Sequence, residues 1–303
     1  MKYFDFEGKK VSQVIAGCMR YDSMEEKDLD RHIKTALDHG VNFFDHADIY
    51  GKGKSQEVFG NFLEKNKALR QDMILQSKCG ITDGRFDFSK DHIRESVEKS
   101  LKDLKTDYLD VLLLHRPDLL MDEGEVNEIF NDLKKEGKVL NFGVSNFPAR
   151  RIELLQRGLD EKLVFNQLQF SPVHALSLEH IALANTKFEG SADTDGEVFD
   201  YCMLNDIKIQ AWSPFQHGFI EGTFIGNDDY KELNEKLNEL AEKYKVGVNA
   251  IVVAWIRRLP YDINPVLGTT NTERLVDGIK GADIELSRKE WYDIYKAAGH
   301  EII

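Results

Sequence analysis

The sequence predicts a (β/α)8 barrel, and three observations carry that expectation. Strand-like and helix-like patterns alternate from one end to the other, as parallel βαβ units require. Six short apolar runs each end in a polar residue of a kind that catalysts use. They are Val41–Phe44 into Asp45, Met73–Ser77 into Lys78, Val111–Leu114 into His115, Phe142–Val144 into Ser145 and Asn146, Val164–Asn166 into Gln167, and Ile207–Ala211 into Trp212 and Ser213. In such a barrel the carboxyl ends of all strands converge on one face, and that face carries the active site. The rival doubly wound fold wants Gly-x-Gly-x-x-Gly at its first strand-to-helix turn. Here that turn reads Ala16-Gly17-Cys18-Met19-Arg20-Tyr21, with one glycine.

The elements follow in order. After a strand at Gln13–Ala16, Ser23-Met24-Glu25-Glu26 reads as a capping box that opens a helix to about His39. Strand Phe43–Asp45 leads to a helix over Gln56–Asn66, and strand Met73–Ser77 to a helix in which Ile93, Val97, Leu101 and Leu104 form one apolar face. Strand Leu109–Leu114, helix Glu125–Glu136, strand Asn141–Val144, helix Ala149–Leu159 and strand Val164–Gln169 continue the alternation. Residues 171–196 and 216–229 are long connections with turn composition, the kind that shapes binding sites. Strand Ile207–Ala211, helices Tyr230–Tyr244 and Ala250–Arg258, strand Pro265–Leu267, and helices Thr272–Lys280 and Arg288–Ala298 complete the count. No linker or change of composition divides the chain, so one barrel domain over residues 1–303 is expected.

A 42% hydrophobic share is ample for a sizeable core, and a net charge of −13 argues against nucleic acid, whose phosphates need a basic stripe. The N-terminus lacks a basic region followed by a long apolar one, and no run reaches the roughly 18 apolar residues of a membrane span. Cys18, Cys79 and Cys202 are odd in number and scattered, so neither a disulfide framework nor a zinc site is indicated, and a buried inert thiol is the default for each. A cytoplasmic protein without membrane or nucleic-acid partners is expected. Oligomeric state is not legible, and a monomer is compatible with everything read.

Asp45-His46-Ala47-Asp48-Ile49-Tyr50-Gly51 places a carboxylate at a strand end and a phenol five residues on. With Lys78 and His115 from the next two strand ends, the set suits carbonyl reduction, in which charge develops on oxygen and a proton must be delivered. A free phenol, with a pKa of about 10, is a poor acid at neutral pH. A lysine cation beside Tyr50 is expected to lower that value, Asp45 to hold the lysine charged, and His115 to orient the substrate oxygen. Each residue alone has a structural reading: Tyr50 as packing, Lys78 as a rim ion pair with Asp45, His115 as a hydrogen-bonded core histidine. Their joint placement at consecutive strand ends favours function.

At these residues the chain resembles the aldo-keto reductase superfamily over nearly its whole length, and the Asp45–Gly51 and Leu114-His115-Arg116-Pro117-Asp118 segments look most like its bacterial YdhF-type branch. Gly143-Val144-Ser145-Asn146-Phe147 matches a specific motif of that superfamily. The resemblance implies an NADP-dependent reductase of small carbonyl compounds, with Asp45, Tyr50, Lys78 and His115 catalytic. It implies that Ser145, Asn146 and Gln167 hydrogen-bond a nicotinamide carboxamide and that Trp212 stacks on the ring. It further assigns cofactor contacts to Ser213, Gly218, Thr269, Arg274 and Arg20.

Some positions depart from that pattern. His46 replaces a commoner threonine, which bears on the pocket wall. The loop Phe215-Gln216-His217-Gly218 has fewer glycines than usual, Gly278 stands where an asparagine is common, and a frequent lysine between Gly268 and Arg274 is missing. Independently of the family, Thr270-x-x-Glu273 reads as a capping box whose free N–H groups, with Arg274, suit a phosphate. The bland alternative has Arg274 paired with Glu273 or Asp277. A preference for NADPH over NADH, smaller than in members with the extra lysine, is the expectation. Two other readings compete with this one. A hydrolytic metal on Asp45, His46, Asp48 and His115 would face a competing cation in Lys78, so no metal is expected. A non-catalytic, nicotinamide-binding redox-sensing barrel stays open as the alternative function.

Overall fold

The computed structural model describes residues 1–302. Eight parallel strands close into a barrel: β1 (Ile15–Gly17), β2 (Phe43–Asp45), β3 (Ile74–Cys79), β4 (Val111–Leu114), β5 (Phe142–Ser145), β6 (Leu163–Gln169), β7 (Lys208–Trp212) and β8 (Asn264–Leu267). Each strand pairs with its sequence neighbours, and β8 closes on β1 through Val266 beside Ile15. Both faces of these strands are covered, which is why they read as near-continuous apolar runs rather than alternating ones.

The helices form the outer ring: α1 (Glu26–Asp38), α2 (Lys54–Lys65), α3 (Lys90–Leu104), α4 (Glu123–Lys135), α5 (Ala149–Gly158), α6 (Leu176–Ala182), α7 (Val198–Leu204), α8 (Lys231–Tyr244), α9 (Val248–Arg257), α10 (Thr272–Lys280) and α11 (Arg288–Ala297). Ile93, Val97, Leu101 and Leu104 of α3 are buried, as their spacing predicts. Among the described residues no helix is long and apolar enough to cross a membrane.

Several local expectations are corrected. Ser23 closes a short 3-10 turn and donates to the Arg20 carbonyl at 2.7 Å, while α1 starts at Glu26 without a side-chain cap. At α10 the cap is Asn271, whose side chain accepts from the Arg274 N–H at 2.9 Å, one residue beyond the predicted Thr270. Residues 171–196 are not all loop, because α6 forms within them. The 216–229 connection folds back on itself, with Gln216 and His217 pairing antiparallel to Thr223 and Gly222.

An N-terminal hairpin was not foreseen. Tyr3–Phe6 pairs antiparallel with Lys9–Ser12 across a two-residue turn, Glu7 and Gly8, both at positive φ (49° and 75°). That is the turn whose twist matches a tight hairpin. Phe4, Phe6 and Val11 pack on Ile15, Phe43, Ile74, Val111 and Phe165, residues near the N-terminal ends of their strands. The hairpin thus stoppers the end of the barrel opposite the polar strand endings. Truncation of a buried phenylalanine typically costs about 3–5 kcal/mol. Phe6→Ala is expected to lower the urea unfolding free energy by about 3 kcal/mol while leaving ligand affinity at the open end within about twofold.

Candidate active site

At the carboxyl ends of the strands a cavity of about 670 Å³ opens. Parallel register sets Asp45 beside Gln76 and Lys78 beside Leu113, so side chains of adjacent strands meet in the barrel interior. Lys78 is 0% exposed and Asp45 2%. The Lys78 Nζ lies 2.8 Å from Asp45 Oδ2, 2.8 Å from the His46 carbonyl oxygen and 3.0 Å from the Tyr50 hydroxyl. An ammonium has three hydrogens and no acceptor, so all three are spent and Tyr50 must be the acceptor in the last bond. The phenol's own proton is therefore free for another group. The His115 ring faces that phenol edge-on, centroids 6.2 Å apart.

Burial, the largest influence, raises the Tyr50 pKa, and Asp45 adds to the rise, while Lys78 pulls the other way. Lys78 thus acts in the expected direction, and burial outweighs it. The lysine charge is shared with Asp45, and desolvation outweighs what remains. Burial alone would lower the Lys78 pKa, but Asp45 and Tyr50 reverse this and hold it above the usual lysine range. Burial, helped by the charges of Lys78 and Arg116, pushes the His115 imidazole well below its ordinary range, so it is neutral.

A second network lies beneath these groups. Gln76 and Gln167 each donate to Asp45 Oδ1, at 2.6 and 3.0 Å, and each gives its other hydrogen to Gln210 Oε1 at 2.8 Å. Gln210 returns a bond to Gln76 at 3.0 Å. The carboxylate can only accept, which fixes the orientation of all three amides. Gln76 and Gln210 were missed because each sits inside an apolar run like any strand residue. The one available signal was a glutamine in the middle of a strand predicted to be buried.

Ser145, Asn146, Gln167 and Trp212 interlock along one wall. Trp212 Nε1 donates to Asn146 Oδ1 at 3.0 Å, and Asn146 Nδ2 donates to the His115 carbonyl and to Ser145 Oγ. Ser145 donates to the Gln167 carbonyl at 2.9 Å. These N–H groups are spent within the wall, and all four residues line the cavity, where the remaining acceptor capacity of Ser145, Asn146 and Gln167 suits the NH2 of a carboxamide. Ser213, Arg20, Thr269 and Arg274 also line the cavity, whereas Gly218 does not. The Gly218 carbonyl instead receives Gln169 Nε2 at 2.7 Å. Arg20 donates to the Gly268 carbonyl at 3.1 Å. Asp277 accepts from the Gly247 and Ala250 N–H groups, and among the described residues Arg274 makes no ion pair. Asn271 already holds one N–H of the first turn of α10, leaving those of Thr272 and Glu273. The groove therefore has amide and hydroxyl side chains along one wall and Arg20 and Arg274 at one end, residues that fit a phosphorylated nicotinamide cofactor.

One expectation about the pocket wall fails. His46 is fully buried against Phe59, ring centroids 4.6 Å apart, and only its carbonyl serves the site. Cys18 and Cys79 are buried, as the default reading of each thiol has it, and burial pushes their pKa values well up. Burial, assisted by Lys78, drops the His46 pKa to about 3. Unfolded His46 takes up a proton near its ordinary value of about 6.5, so its contribution to stability is present above that pH and is lost as pH falls toward 3. At pH 5 the loss is about 2 kcal/mol. The difference in unfolding free energy between pH 7.5 and pH 5 is expected to shrink by that amount in His46→Phe, measured by urea titration at both values.

A model of the aldo/keto reductase family matches residues 13–298. The chain is 35% identical to the oxidoreductase YdhF of Escherichia coli, covering 98% of this chain and 97% of that one. It is 33% identical to a 6-dehydroglucose reductase of Agrobacterium fabrum, over 89% and 88% of the two chains. A solved structure of a thermostable aldo-keto reductase in complex with the inhibitor epalrestat superimposes with a TM-score of 0.77 at 22% identity, covering 98% of this chain and all of that one. Barrel topology, strand-end chemistry and sequence similarity agree, and the chain belongs to the aldo/keto reductase family.

Proposed function

We propose that this chain is a single NADPH-preferring reductase domain, residues 1–303, that converts small aldehydes or ketones to alcohols. The observation that carries the reading is the spent ammonium of Lys78, which leaves the Tyr50 proton as the one to be given away. Ser145, Asn146, Gln167, Trp212, Arg20 and Arg274 would hold a nicotinamide cofactor, and the chemistry it would supply when bound is a hydride for the carbonyl carbon. Tyr50 delivers its proton to the carbonyl oxygen. Its raised pKa keeps the phenol protonated at neutral pH until charge develops on that oxygen. Lys78, hydrogen-bonded to the phenol oxygen, then stabilises the phenolate, and Asp45 keeps Lys78 oriented. Neutral His115 has one N–H to offer the same oxygen.

General acid catalysis is worth about 10²–10⁴-fold. Tyr50→Phe keeps the ring and removes the hydroxyl. Reduction of a generic aldehyde should fall by about that factor, with the NADPH Kd unchanged within about threefold by fluorescence titration. Retention of more than about a tenth of the wild-type kcat, with chemistry limiting, would refute the role. A barrel that binds NADPH tightly yet turns over no aldehyde would favour the sensing alternative.

Arg274 and the start of α10 support the preference for NADPH, because a 2′-phosphate bears nearly two negative charges and charge-assisted bonds contribute about 1.5–3 kcal/mol each. With Arg274 exposed and Glu273 adjacent, we infer a selectivity of about ten- to a few hundred-fold. Arg274→Ala should weaken NADPH by about 10–100-fold and NADH by less than about threefold, and added salt should narrow the gap. Equal losses for both cofactors would place Arg274 elsewhere.

A further inference from the structure

Among the described residues two cations lining the groove, Arg116 and Arg274, make neither an ion pair nor a side-chain hydrogen bond. Arg116 follows β4 directly after His115, is half-buried, and lines the cavity. Its guanidinium lies 5.9 Å from the Trp212 ring centroid and 5.5 Å from that of Phe219. Among the described residues it makes no ion pair or hydrogen bond, and burial is the single influence on its pKa. The other cations lining the cavity are differently placed: Arg20 bonds the Gly268 carbonyl, and Arg274 opens α10. The one acid lining it, Asp45, is already engaged by Lys78.

Topology separates these charges. In the closed barrel β4 stands diametrically across from β8, at whose end Gly268 and Thr269 begin the cationic end of the groove. Arg116 is therefore not placed to serve the same phosphates as Arg20 and Arg274. It directly follows His115, whose ring faces the Tyr50 phenol. Ile49, Ile81, Phe219 and Ile220 line the cavity as well. Such a wall accepts an apolar spacer. Beside the Trp212 and Phe219 rings, which stand at 88° to one another, the guanidinium keeps five N–H donors in a planar fork, and that fork matches a carboxylate bidentately. A neutral substrate filling the cavity would strip water from this cation and return nothing, which is costly.

We propose that Arg116 is the specificity-determining residue of this site and selects aldehydes that carry a carboxylate beyond an apolar or aromatic spacer. The proposal rests on the carbonyl-reductase reading above. One fork, with no second cation beside it, matches the single charge of a carboxylate rather than the two of a phosphate.

The test compares 4-carboxybenzaldehyde with its neutral methyl ester, methyl 4-formylbenzoate, at saturating NADPH, in wild type, Arg116→Met and Arg116→Lys. The variant-to-wild-type ratio of kcat/KM for each aldehyde cancels their different electrophilicities. In Arg116→Met the acid should lose about 10–100-fold and the ester less than about threefold. Arg116→Lys should recover part of the loss, because it keeps the charge but not the fork. The NADPH Kd should stay within about twofold in both variants. In wild type, raising the salt concentration should depress turnover of the acid and spare the ester, a readout that needs no variant. Equal losses for acid and ester, or a weakened NADPH Kd, would assign Arg116 to the cofactor or the fold and overturn the proposal. So would unchanged ratios, or wild-type kcat/KM indifferent to the carboxylate and to salt, with the reductase reading left intact. Reduction of neither aldehyde would remove that reading and the proposal with it.

Discussion

A lysine ammonium taken wholly out of water loses solvation worth several kcal/mol, and it persists inside a protein only when its hydrogens are met. At Lys78 they are met by a carboxylate from β2, a carbonyl one residue further on and a phenol in the turn before α2. Three features of the fold are thereby coupled. The register of β2 against β3 has to bring Asp45 and Lys78 together, the chain after Asp45 has to turn so that the His46 carbonyl points inward, and Tyr50 has to return over the strand end. A shift in any of them leaves a buried charge unanswered, so the chemistry of the site and the closure of the barrel enforce one another.

The same logic extends one layer deeper. Asp45 answers Lys78 while itself being answered by Gln76 and Gln167, whose amides converge on Gln210. A buried polar network is favourable only when its members are satisfied, and here the interior of the barrel is divided accordingly. Phenylalanine, isoleucine and valine fill the stoppered end, and amides and ions fill the open one. That division makes the carboxylate a rigid fixture rather than a side chain with rotamers to choose from.

How much of this was legible in the sequence follows from what burial does to a pattern. Parallel strands covered on both faces read as apolar runs, so the polar residue ending each run stood out, and Asp45, Lys78, His115, Ser145 and Gln167 were found where strands stop. Gln76 and Gln210 were hidden by the same effect, because inside an apolar run nothing marks a glutamine as one of a set drawn from distant strands. Capping was misplaced where two candidates stood side by side: Thr270 and Asn271 both suit the role, and backbone geometry selects between them. The hairpin at Tyr3–Ser12 is too short for its alternation to stand out, although Glu7-Gly8 is a turn signal. The lysine's pull on Tyr50 was legible as a neighbouring charge, whereas the depth of burial that outweighs it was not.

The chain's three tryptophans are distributed in a way that bears on how the protein can be watched. Trp255 and Trp291 lie face to face, 5.1 Å between centroids and 3° between planes, and each donates its indole N–H to the other's carbonyl. Two parallel indoles so close form an excitonic pair, with their emission altered by each other rather than by solvent. They belong to α9 and α11, outside the barrel wall. Trp212 stands apart, at the cavity, with its N–H on Asn146. The three indoles thus stand in two separate environments, a stacked pair that joins the last helix to α9 and a single ring at the groove.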